Sequence, residues 1–75
     1  MKPIWITNAQ YVRDYVITVC FSDGKQKVID LKDHLCGEIF EPIKEVETFK
    51  NFTLSDWTIQ WDNGADISPE YLYAL

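Results

Sequence analysis

The segment YVITVCF (residues 15–21) sets the strongest constraint on the fold of this chain. In an extended backbone Tyr15, Ile17, Val19 and Phe21 fall on one side and are all apolar. Val16, Thr18 and Cys20 fall on the other and are mixed. A strand with one wholly apolar side belongs in the middle of a sheet, so it needs a neighbour on each edge. PIWITNAQYV (residues 3–12) supplies the first, with Pro3 at its edge and Arg13-Asp14 as the reversal. QKVID (residues 26–30) supplies the second. Between them SDGK carries a turn, because Asp tolerates unusual backbone angles and Gly24 takes positive φ without a Cβ clash. These three segments predict an antiparallel meander.

The middle of the chain changes period. DLKDHLC predicts a short helical turn opened by an Asp, with Leu31 and Leu35 one turn apart and Gly37 ending it. EPIKEVETF predicts a second helix, with Pro42 in the first turn and Ile43, Val46 and Phe49 as its apolar stripe. NFTL and WTIQW predict a second hairpin reversing at Ser55-Asp56, with Trp57, Ile59 and Trp61 on one face. Asp62-Asn63-Gly64 then carries residue types that accept left-handed backbone. Ser68-Pro69-Glu70 reads as N-cap, first helical residue and first-turn acid of a last short helix. The expected fold is therefore α+β: a three-stranded antiparallel meander, short helices, a second hairpin and a short C-terminal helix, in one domain over residues 1–75.

Size and charge narrow the function. A chain of 75 residues buries only about 60–65% of its unfolded surface. Its apolar groups are needed to hold the fold, which leaves little room for an internal ligand. Twelve acidic against seven basic residues, net −5, repel phosphate backbones, so direct nucleic-acid binding is not expected. The same charge suits a small basic protein partner and also serves solubility. The short apolar run after Met1-Lys2-Pro3 is interrupted by Thr7 and Asn8. It predicts neither a signal peptide nor a membrane span. With only two widely spaced cysteines, the expected compartment is the cytoplasm, with free thiols.

Four chemistries are conceivable for these residues. His34 and Cys36, with Asp33 and Cys20, lack the paired spacing of a zinc site, and residues two apart on a helix diverge. A surface histidine and a small apolar cysteine explain them better. Cys20 or Cys36 with His34 lacks a third group to orient the imidazole. Asp62 and Asp66 form a carboxylate pair without a cleft. No catalytic residue, metal or cofactor is therefore expected. The fourth chemistry is an interaction surface. Trp5, Tyr11, Phe40, Tyr71 and Tyr73 cannot all be buried, and aromatic rings among acids suit a protein interface. The candidate contact residues are Trp61, Asp62, Asn63, Asp66 and Tyr73. Asp66 is open to two roles, bonding nearby amides or meeting a partner.

FSDG (21–24), DL (30–31), GEIFEPIKE (37–45), Phe49 and TIQWDNGADISPEYLY (58–73) together resemble a family of short bacterial proteins known as domain of unknown function two-four-four-two. The resemblance spans nearly the whole chain, and W-x-N-G-x-D-x-x-P-E-x-L is its most specific part. Ile43 stands where the family usually has Leu. The resemblance implies a small α+β domain and no established activity. It also implies membership of a gene pair of toxin–antitoxin-like type. Longer relatives carry a C-terminal helix-turn-helix, a module not expected in these residues. The expected function is a non-enzymatic interaction module. The alternative is a homodimer joined through a sheet edge, such as that of residues 3–12, or through the last helix.

Overall fold

The computed structural model describes residues 3–75; Met1 and Lys2 lie outside the described residues. Three strands, β1 (Ile6–Arg13), β2 (Val16–Phe21) and β3 (Gln26–Asp30), form an antiparallel sheet with β2 in the centre. Ile17, Val19 and Phe21 point into the core, as their alternation requires. Cross-strand partners share a face, so Ile6, Ala9 and Tyr11 of β1 and Ile29 of β3 join them. The opposite face carries Thr18, Cys20 and Val28 and is open.

Two boundaries of the first hairpin differ from expectation. Strand β1 begins at Ile6 rather than residue 3: Ser22 N–H still donates to Trp5 C=O at 2.9 Å, but Trp5 N–H turns to the Ser22 side chain, with Oγ at 3.3 Å, and the ladder ends there. The reversal occupies Asp14-Tyr15, one residue later than expected, and Asp14 takes the positive φ of 45°. β1 also carries register shifts around Thr7 and Val12, whereas the β2–β3 ladder is unbroken from Val16–Asp30 to Cys20–Gln26.

A run of short helical turns crosses the core face. Lys32–His34, Glu38–Phe40 and Pro42–Lys44 are 3-10 turns, and α1 (Val46–Phe49) is a single α-helical turn. The expected continuous helix from Glu41 to Phe49 is broken at Glu45, which is extended (φ −81°, ψ 126°). The break lets Tyr15 Oη donate to Lys44 C=O, joining the sheet to this run. Ile43 and Phe49 are still fully buried.

Strands β4 (Thr53–Leu54) and β5 (Ile59–Gln60) form the second hairpin. Its reversal is longer than Ser55-Asp56. Ser55 Oγ donates to Thr58 C=O at 2.8 Å and accepts from Thr58 N–H at 3.1 Å, folding residues 55–58 into a loop. Trp57 is therefore a loop residue and is 54% exposed, while Ile59 and Trp61 are buried. Its backbone is used instead: Trp57 C=O accepts from Ile6 N–H at 2.8 Å.

Helix α2 (Pro69–Ala74) closes the core with Leu72 and Pro69. Ser68 Oγ accepts from Tyr71 N–H at 3.2 Å, and Pro69 and Glu70 hold the first turn, as the sequence predicts. At the other end Lys27 Nζ donates to Tyr73 C=O at 2.7 Å and to Leu75 C=O, occupying carbonyls that the helix leaves unpaired. No helix among the described residues is long and apolar enough to cross a membrane.

Candidate functional site: a groove beside the 61–68 corner

The corner between β5 and α2 is built from Trp61 outward. Gly64 N–H donates to Trp61 C=O at 3.0 Å, and the positive φ of 91°, open to Gly64 without a Cβ clash, turns the chain back along Trp61. Trp61 N–H then reaches Ala65 C=O at 2.9 Å, and Gln60 bridges Asp66. Asn63 spends its whole side chain on this corner. Its Oδ1 accepts from Ala65 N–H at 3.0 Å and its Nδ2 donates to Ile39 C=O at 2.8 Å. That second bond clamps the Glu38–Phe40 turn against the corner, and Phe40 lies edge-on to Trp61 with ring centroids 6.1 Å apart.

The clamp opens a shallow groove of about 300 Å³ lined by His34, Phe40, Asp66, Ile67, Ser68 and Tyr71. His34 Nδ1 and Tyr71 Oη are 2.8 Å apart and hydrogen-bonded, so these two rings form one wall. Tyr71 is 46% exposed and Ile39, next to the groove-lining Phe40, is 47% exposed. Asp66 is exposed, and among the described residues no group donates a hydrogen bond to its carboxylate. Acids stand beside each wall in sequence: Asp33 next to His34, Glu38 in the turn that ends at Phe40, Glu70 next to Tyr71. Elsewhere Glu41 and Glu47 are neutralised locally by Lys44 and Lys50, at 3.1 and 3.0 Å. A larger depression of about 430 Å³, at the first hairpin, mixes Arg13 and Lys32 with Asp14 and Asp30.

The five residues singled out from the sequence do not form one patch. Asp66 alone lines the groove. Trp61 is 4% exposed and supports it from beneath. Trp61, Asp62 and Asn63 together border a separate depression of about 230 Å³ with Pro42, Thr48 and Asn51. Tyr73 lies against the sheet, edge-on to Phe21 at 4.9 Å, with Lys25 above its ring. Sequence reasoning missed His34, Phe40 and Tyr71 as a unit. The usable signal is the third position of α2, where Tyr71 lies about 100° round the helix from the buried Leu72.

Tyr73 instead tunes Asp23. Its hydroxyl donates to Asp23 Oδ2 at 2.6 Å, and Lys25 N–H donates to Oδ1 at 2.9 Å. The tyrosine bond first, and the backbone bond second, hold the carboxyl below its ordinary value of 3.8. A depressed folded-state pKa stabilises the fold above the unfolded value, and that contribution is lost as pH falls through the folded one. Tyr73→Phe should raise the Asp23 pKa toward 3.8 in a carboxyl-detected NMR titration; an unmoved pKa would show that the phenol bond does not form in solution.

Cys20 is half-buried and Cys36 exposed, both as free thiols. Among the described residues no three His, Cys, Asp or Glu side chains gather where they could hold a metal ion. A family model described as "Protein of unknown function (DUF2442)" matches residues 6–75. No curated protein and no solved structure matches this chain.

Proposed function

The chain belongs to the DUF2442 family, whose description assigns no activity, and from its own geometry we propose that it is a non-enzymatic interaction module that captures a small basic protein. The observation that carries this reading is the groove itself: exposed Tyr71 and half-buried Phe40 beside an unengaged Asp66, with Asp33, Glu38 and Glu70 close to its lining residues in sequence. The rings supply area to bury, and the carboxylates steer a cationic side chain into the groove. In a cell the module works in the cytoplasm as one half of a two-component, toxin–antitoxin-like pair. Its role is to hold or restrain the other half.

The test separates the two acids that the sequence grouped. Affinity capture from host lysate, quantified by mass spectrometry, is run with the wild-type chain, Asp66→Lys and Asp62→Lys. A small basic protein enriched by the wild type should be lost with Asp66→Lys and kept with Asp62→Lys. Titration of the purified pair should then show binding weakened by about tenfold or more for Asp66→Lys, the scale of a like charge placed in an interface. Equal binding by both variants would remove the groove as the contact.

A further inference from the structure

We propose that β3 is a dimerisation edge, pairing antiparallel with β3 of a second copy about a twofold axis at Val28. The backbone bonds that flank the β2–β3 ladder establish which groups face outward. Phe21 N–H donates to Lys25 C=O at 2.8 Å, and Leu31 N–H donates to Tyr15 C=O at 2.9 Å. Antiparallel ladders alternate strictly, so Lys25, Lys27, Ile29 and Leu31 turn their backbone groups toward β2. Gln26, Val28 and Asp30 turn theirs away, at the free side of the sheet, and no described residue bonds to them.

The two edges of the sheet are not equivalent. β1 is blunted by register shifts at Thr7 and Val12, and its Ile6 N–H is already bonded to Trp57. Shifts of this kind are a common protection against edge pairing. β3 has no shift, and Val28 on it is 68% exposed.

The register at Val28 is self-complementary. Val28 faces Val28 of the second copy, so every outward N–H and C=O finds a partner. Gln26 faces Asp30 of the second copy, and Asp30 faces Gln26. Asp30 Oδ1 is bonded to its own Lys32 N–H at 3.0 Å, which leaves Oδ2 for the glutamine amide. A shift of one residue toward the N-terminus would set Lys27 against Lys27, a like-charge pair. The pairing uses none of the groove-lining residues and stands independently of the groove's function.

Sedimentation velocity of the full chain, up to millimolar concentration, should show a reversible dimer. Amide exchange read by NMR should slow at Gln26, Val28 and Asp30 as the dimer forms. Val28→Pro should abolish the dimer while keeping the fold, because the lost N–H serves no bond within the sheet. Gln26→Glu should weaken the dimer roughly tenfold by facing Asp30 at two symmetric places, and Gln26→Lys should tighten it. If Val28→Pro does not fold, the opposite signs of the two Gln26 variants decide. A chain that stays monomeric throughout, or a dimer indifferent to these changes, overturns the proposal.

Discussion

Trp61→Ala is expected to leave the chain unfolded at room temperature. Trp61 is 4% exposed and sits among Phe40, Phe49 and Phe52, with ring centroids 6.1, 5.9 and 6.4 Å away. Phe49 in turn meets Tyr11 and Tyr15 of the sheet edge-on, so Trp61 ends a chain of rings that joins both sheets to α1. Truncating such a ring costs about 3–5 kcal/mol. A second cost is specific to this site. Trp61 Nε1 donates to Phe49 C=O at 2.9 Å, a carbonyl at the end of α1 that its helix leaves unpaired. Stranding it adds about 1–3 kcal/mol. A domain this small commonly has only about 3–5 kcal/mol to lose. Trp61→Phe separates the two contributions, because it keeps a ring and removes the donor. It should fold with a clearly lowered urea midpoint. A cooperative, near-native transition for Trp61→Ala would show that the ring cluster is not the keystone of the core.

That result bears on how the corner is read. Sequence alone set Trp61, Asp62, Asn63 and Asp66 together as contact residues. The structure gives Trp61 and Asn63 work within the fold, so their loss would weaken any binding for reasons unrelated to contact. Asp62 and Asp66 are exposed and carry no such bond among the described residues, so a change at either would test contact without removing a support of the fold.

The parts legible in the sequence were those with a local cause. β2 was legible because one side of YVITVCF is apolar without interruption. The cap of α2 was legible because Ser68, Pro69 and Glu70 each act within one turn. The 62–64 turn was legible because Gly64 has a backbone role that other residues fill poorly. The rest depended on distant partners. The break at Glu45 leaves Lys44 C=O to Tyr15, a partner 29 residues away. Trp57 was assigned to a strand because its spacing from Ile59 and Trp61 is correct, yet Ser55 closes the loop around it. The groove was least legible. Its walls come from three separate segments, and Asn63 fastens one of them by a backbone carbonyl, which any residue at position 39 would present.

Thr58 offers the sharpest test of that corner, because the expected order of two variants reverses the usual preference for apolar groups in a core. Thr58 is 2% exposed and its hydroxyl donates to Ile67 C=O, directly before the Ser68 cap. Thr58→Val keeps the shape and removes the donor, leaving a buried carbonyl unpaired at about 1–3 kcal/mol. Thr58→Ser keeps the donor and removes one methyl, at about 1 kcal/mol. Valine should therefore be the more damaging change, although it is the more apolar residue. The damage should also be directed. Ile67 and Ser68 position the first turn of α2, so the Tyr71 amide, which Ser68 Oγ caps at 3.2 Å, should exchange faster in Thr58→Val than in Thr58→Ser. Urea midpoints and amide exchange on the same samples check both statements. If valine matches the wild type while serine falls, burial of the methyl rather than the bond to Ile67 anchors α2, and the groove wall at Tyr71 is held by packing alone.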